Sequence, residues 1–284
     1  MALSDTLYRT LRPTAKYAQA VLRWKRLSFG DAPPIFGNAK PKSGSHLLTQ
    51  VLSGFCLIAP YAYVQTEPVR TVKAAGGRFD PQETLNQLRD IPRGVIGWGY
   101  VDATPENLIF LCQPERVNYF IYRDPRDMLV SHVFYASDMH EGHGLHEYYQ
   151  TLSDFDERLK VAITGIDRDG LFMVNVQKRY EGVFQWLDQE SVQCIRFEQL
   201  INDRETVLTA MLDQVEKTGY HIPTPREKAL EILLETIQPK KSKTFRTGKT
   251  GEWAKYFKPE HKALFKEVAG DLLVRLGYET DQDW

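Results

Sequence analysis

The chain has 284 residues, 42% hydrophobic, 12% aromatic and 26% charged, a make-up that suits a globular protein and excludes a disordered one. Its 36 basic residues nearly cancel 37 acidic ones, so no global field draws it to nucleic acid or an anionic membrane, and any anion site has to be local. No run approaches the roughly 18 apolar residues that span a bilayer, so no transmembrane segment is expected.

Cys56, Cys112 and Cys194 are widely separated and each lies in an apolar run, which fits reduced core thiols better than a disulfide framework or a zinc site. A cytoplasmic location is expected, since the first 25 residues carry Arg9, Arg12, Lys16, Arg23 and Lys25 without a signal-peptide core. Residues 1–30 read as an N-terminal amphipathic helical segment and 31–284 as one domain. Within the segment, Leu3, Leu7, Leu11, Ala15, Ala18, Val21 and Leu22 keep helical spacing, with a break expected at Pro13. Packing on the outside of the domain is the ordinary outcome for such a helix, and a lipid surface is the alternative.

Next, IFGNA reads as a buried strand, KPKSGS as a polar loop and LLTQVLSGFCLI as a helix, so residues 35–58 form strand, tight loop, helix. GVIGWGY is a weaker strand candidate. RVNYFIY is a stronger one, ending at Arg123, after which Asp124 and Pro125 form a cap and first turn for a helix over RDMLVSHVFYASDM. VQCIRFEQL reads as a further strand. Helical patterns occupy the regions around 145–165, 171–188, 204–217, 226–237 and 259–276. Strands alternating with helices predict an α/β fold of three layers, with a mostly parallel central sheet covered on both faces.

In such a sheet, ligands lie beyond the carboxyl ends of the strands, where helix N-termini point. Lys42, Ser43, Gly44 and Ser45 occupy such a place: outward N–H groups and the helix dipole favour an anion, Gly44 permits close approach and Lys42 adds a charge. A turn and cap without a ligand is the alternative. In the nucleotide-triphosphate P-loop, lysine follows glycine and the next hydroxyl holds magnesium. Here Lys42 precedes Gly44 and His46 follows Ser45, so the loop is P-loop-like without a magnesium signature. Arg123 at the strand end can grip a phosphate bidentately, and ion pairs of Arg123 and Arg126 with Asp124 or Asp127 are the alternative. The segment KKSKTFRTGKTGEWAKYF can fold over an anion or remain a solvated basic loop. His140, His143 and His146 are separated through glycines and lack a fourth ligand, so no metal site is expected there. Tyr148 and Tyr149 read as helix-surface or core aromatics.

Together, PKSGS, YRDPRDMLVS and FRTGKTGEW, in that order and spacing, resemble the PAPS-dependent sulfotransferase family in its cytosolic-type and bacterial branch, over roughly residues 35–260. PAPS is 3′-phosphoadenosine-5′-phosphosulfate, the sulfuryl donor. The resemblance implies that Lys42, Ser43, Gly44, Ser45 and His46 bind the 5′-phosphosulfate. Arg123 and Ser131, eight apart, would take the 3′-phosphate with Arg246, Thr247 and Gly248, and Phe197 stands where the family has an adenine-proximal tyrosine. Leu47 replaces a tryptophan against adenine, and Thr247 a frequent lysine. The family's catalytic histidine is replaced by Tyr100 in GWGYVDATPEN, and Trp98 replaces a preceding lysine.

The resemblance implies a sulfotransferase that needs no metal and acts by in-line displacement on a hydroxyl or amine, with Lys42 stabilising the leaving oxygen. The proton acceptor is open among Asp102, Tyr100 and His46. Phenols ionise near pH 10, about three units too high, whereas carboxylates are ionised at neutral pH, which favours Asp102 as base with Tyr100 orienting the acceptor. The acceptor can be a small molecule, a carbohydrate or a lipid, and the loops around 61–80 and 136–150 are expected to shape its pocket. A nucleotide-dependent kinase and a catalytically impaired PAPS- or carbohydrate-binding protein are the rival readings.

Overall fold

The computed structural model describes residues 2–72, 79–241 and 248–284, with the backbone alone for 2–12 and 240. In chain order the elements begin with α1 (Ala2–Trp24), β1 (Ile35–Ala39), α2 (Ser45–Ile58), β2 (Tyr63–Val64), β3 (Val69–Arg70), α3 (Pro81–Arg89) and β4 (Val95–Tyr100). There follow α4 (Pro105–Leu111), β5 (Val117–Tyr122), α5 (Pro125–Phe134), α6 (His146–Thr151), α7 (Phe155–Thr164), β6 (Ile166–Arg168), β7 (Leu171–Met173) and α8 (Val176–Leu187). The chain continues through β8 (Val192–Arg196), α9 (Phe197–Asn202), α10 (Arg204–Glu216), α11 (Arg226–Thr236), α12 (Pro259–Ala269) and α13 (Leu272–Arg275). Contacts group the chain into two compact units, Met1–Tyr122 with Trp186–Pro239, and Arg123–Gln185 with Lys240–Trp284.

The first unit is built on a six-stranded sheet in the order β2–β4–β1–β5–β8, with β3 also paired to β4. Every pairing in it is parallel. All-parallel strands are buried on both faces and read as unbroken apolar runs, which is why β1 and β5 are buried at every position. On one face, Leu48, Val51, Leu52 and Phe55 of α2 join Tyr119, Ile121, Met211 and Leu233 in a continuous core. The Tyr119 hydroxyl, fully buried there, donates to the Met211 carbonyl at 2.7 Å. Because β1 pairs with β4 on one side and β5 on the other, the chain reverses its direction of winding at β1. The carboxyl end of such a strand is where an open α/β sheet leaves a crevice.

The second unit contains α5, α6, α7, α12, α13 and most of α8, with the β6–β7 hairpin. The turn of that hairpin is Asp169-Gly170, both at positive φ, the pairing that two-residue hairpins favour. Phe134, Phe155 and Tyr256 pack their rings at centroid distances of 4.9–5.3 Å.

Local structure departs from expectation in several places. α1 runs through Pro13 without a break; a proline removes one bond of the ladder, and the turns on either side keep theirs. VQCIRFEQL is a strand only to Arg196, and Phe197 opens α9. The pattern at 171–188 divides into β7 and α8. The region 145–165 is two helices separated at Leu152–Asp154, where Asp154 caps α7 through the Glu157 N–H at 3.0 Å. That at 259–276 is interrupted at Gly270, whose φ is 54°.

Candidate active site

In the first unit, the loop from Lys40 to Gly44 leaves β1 at the sheet's point of reversal. The Lys40 N–H donates to the Ile121 carbonyl at the end of β5 (3.1 Å), and the Ser43 N–H closes a turn onto the Lys40 carbonyl (3.1 Å). Two residues in the loop take left-handed backbone, Lys42 at φ 66° and Gly44 at φ 97°. Non-glycine residues in that region carry strain that clusters at ligand sites. Gly44 is the N-cap of α2, and a Cβ there would stand 2.6 Å from the Phe197 ring, so only glycine lets the loop and α9 approach so closely. This brings together two candidates 153 positions apart in the chain, Gly44 and Phe197. Ser43 is fully buried, and its hydroxyl has no hydrogen-bond partner among the described residues. A buried hydroxyl left unsatisfied costs free energy that a bound oxyanion would recover. His46 lies at the exposed edge of α2; partial burial first, and Lys42 second, lower its pKa, so the ring is neutral at pH 7. Leu47 is buried in the core of the unit.

Beside the loop, the Ser45 and Tyr100 hydroxyls are 2.9 Å apart, tying the first residue of α2 to the last of β4. Asn38 fixes the turn after β4: its Nδ2 donates to the Val101 carbonyl and its Oδ1 accepts the Val101 N–H, both at 2.8 Å. Strand periodicity stops at Tyr100, so Asp102 is placed by turn bonds rather than by alternation. Its N–H donates to the Thr71 hydroxyl (3.2 Å), and its carbonyl accepts the Thr104 N–H (2.9 Å) and Asn107 Nδ2 (3.0 Å). Thr104 then caps α4, the helix that PEN begins.

In the second unit, Arg123 is 8% exposed and its Nη2 donates to Asp127 (3.3 Å) and to the Lys249 carbonyl (3.1 Å). The Tyr180 hydroxyl holds the Arg123 carbonyl at 2.9 Å. Asp127, 1% exposed, also accepts the backbone N–H groups of Gly251 (2.9 Å) and Trp253 (2.8 Å). One carboxylate thus sets both Arg123 and the segment after Gly248, which sits at φ 64°. Ser131 lies half-buried on α5. Arg246 and Thr247 lie outside the described residues. The ion pairs that the sequence allowed are both present, and Arg126 is spent on structure: it pairs with Asp124 (2.7 Å) and Glu279 and lies over the Trp253 and Trp284 rings at 3.8 and 4.7 Å. Burial pushes the Asp124 carboxyl up, against the bonds from Arg126. Among the described residues, no three His, Cys, Asp or Glu side chains could hold a metal ion.

Asp127 was legible in sequence only as an ion partner of arginine, since its backbone partners lie more than 120 positions away. Asp127→Asn is expected to lower stability by about 1–3 kcal/mol, because an amide cannot accept at both oxygens and leaves Arg123 without its counter-charge. Chemical denaturation reads this directly, and an unchanged midpoint would show that the loop is held by other means.

Residues 119–277 match the family model of the sulfotransferase domain, more than half of the chain. The chain belongs to the sulfotransferase family. The match begins in β5, so the loop at 40–44 of this sulfotransferase is read from its own geometry. No curated protein matches the chain. Among solved structures, it is similar to mouse sulfotransferase SULT7A1 complexed with PAP, at 18% identity over 87% of this chain and 85% of that one, with a TM-score of 0.59. Retinol dehydratase, crystallised with androsterone and the inactive cofactor PAP, is similar at 16% identity over 86% and 83% of the two chains, with a TM-score of 0.57. At these identities the likeness is one of fold. As a sulfotransferase, the chain has no helix among its described residues that is long and apolar enough to cross a membrane.

Proposed function

We propose that this PAPS-dependent sulfotransferase acts on a hydroxyl or amine of a small-molecule, carbohydrate or lipid acceptor, in the cytoplasm and by in-line displacement without a metal. The observation that carries the reading is the loop after β1 in a chain of this family: a buried Ser43 hydroxyl, without a hydrogen-bond partner among the described residues, beside a left-handed glycine at a helix N-terminus. PAPS supplies a sulfuryl group on a phosphate leaving group. Ser43, Gly44, Ser45 and His46 hold its 5′ end, and Arg123, Ser131 and Gly248, with Arg246 and Thr247, take the 3′-phosphate. Phe197 lies against the adenine. Lys42 stabilises the charge that grows on the leaving oxygen as its bond to sulfur breaks. Asp102 accepts the proton as the acceptor oxygen bonds to sulfur, and Tyr100, held by Ser45, orients the acceptor.

Calorimetry with adenosine 3′,5′-bisphosphate (PAP), 5′-AMP and ATP tests the nucleotide assignment. PAP is expected to bind roughly tenfold to a hundredfold more tightly than 5′-AMP, the worth of about 1.5–3 kcal/mol for a charge-assisted phosphate contact. Equal affinities would remove the 3′-phosphate role from Arg123 and Ser131. Tighter, magnesium-dependent binding of ATP would favour a kinase.

A further inference from the structure

Arg70 ends β3 and pairs in register with Tyr100, the last residue of β4. The two strands lie so close that a Cβ on Gly99 would stand 2.3 Å from the Val69 carbonyl oxygen. The backbone around Arg70 is pinned on both sides. Gln87 accepts the Arg70 N–H (3.2 Å) and donates to its carbonyl (3.3 Å). Thr71 donates to the Tyr100 carbonyl through its N–H (3.2 Å) and its hydroxyl (2.9 Å). The side chain is treated differently. It is exposed, lies over the Tyr100 ring at 5.7 Å from the centroid, and its guanidinium makes no hydrogen bond or ion pair with any described residue. A guanidinium presents a planar fork of donors that matches an oxyanion bidentately. Here the fork stands on a rigid mount at the carboxyl end of a parallel sheet, beside the ring whose hydroxyl touches Ser45.

We infer that Arg70 selects the acceptor: the preferred acceptors carry an oxyanion, a carboxylate, sulfonate, sulfate or phosphate, within a few bonds of the hydroxyl that receives the sulfuryl group. Arg70 grips that oxyanion and so directs the hydroxyl toward Tyr100 and Asp102. The inference rests on the reading of those two residues as the acceptor side of the site. Arg70 is a specificity residue and takes no part in bond making.

Two matched pairs test it on the PAP-loaded protein: 4-hydroxyphenylacetate against its methyl ester, and 4-hydroxybenzenesulfonate against the corresponding sulfonamide. Acceptor affinity is read by calorimetry, and transfer is read separately with sulfur-labelled PAPS. The expected result is at least roughly tenfold tighter binding of a charged member than of its neutral partner. That preference should collapse in Arg70→Gln and return in part in Arg70→Lys, with thermal stability and PAP affinity as controls for folding. Which pair shows the preference distinguishes a carboxylate from a sulfonate. Equal affinity within both pairs, including no measurable binding of any of the four, overturns the inference, as does an Arg70→Gln loss equal for charged and neutral members. Selective binding without label transfer would support Arg70 while overturning the assignment of transfer to this site.

Discussion

Lys42→Met is expected to lower turnover about 10²- to 10³-fold while leaving PAP affinity within a few fold of wild type. The leaving oxygen gains most of its charge on the way to the transition state, so a cation aimed at it contributes more there than to a bound product. The local geometry suits that role. Lys42 is held at φ 66° in a loop tied at Lys40 and Ser43, so its direction is set by a backbone that lysine does not adopt by preference. The substitution also removes the charge that helps depress His46, so the His46 resonance should titrate at higher pH in the variant. Single-turnover kinetics beside PAP calorimetry separates the outcomes. A variant that binds PAP poorly and turns over normally would make Lys42 a positioning residue.

Asp102→Asn is expected to cut turnover about 10²- to 10⁴-fold with nucleotide affinity nearly unchanged, and Tyr100→Phe to cost much less. The backbone of Asp102 is anchored to Thr71, Thr104 and Asn107, and asparagine keeps the same side-chain shape, so the loss would report proton transfer rather than misfolding. Tyr100→Phe removes the hydroxyl that meets Ser45 and orients the acceptor and leaves the ring beneath Arg70. A harmless Asp102→Asn with an inactive Tyr100→Phe would transfer the role of base to the tyrosine. If neither substitution matters, the acceptor reaches the site as a readily ionised phenol or an amine, or catalysis takes place outside this pocket.

Local chemistry made the strand-loop-helix framework of the candidate site legible in the sequence. The apolar run of β1, the small residues of the loop and the helical period of α2 agree with one another, and Asp124-Pro125 marks the start of α5 by a cap and a fixed φ. Where the signal failed, two periods competed over too few residues. Phe197-Glu-Gln-Leu-Ile follows the apolar run of β8 without a turn signal, yet its apolar residues fall at i, i+3 and i+4, and the chain turns into α9 there with the Phe197 ring against Gly44. β2 and β3 have two residues each and no period at all. The roles of Arg70 and Asp127 depend on partners about 30 and more than 120 positions away, a kind of information that no window along the sequence carries.

The clamp around Arg126 has an optical consequence. Trp253 lies five residues beyond Gly248 with its N–H fixed by Asp127, and its indole is stacked under a guanidinium and set edge-on to Trp284 at 5.7 Å. Indole emission depends on the charges and rings around it, so any shift of the segment that follows Gly248 alters the light this pair emits. The second unit thereby carries its own fluorescent reporter of how that segment is seated, and the state of the loop can be followed in the unlabelled protein.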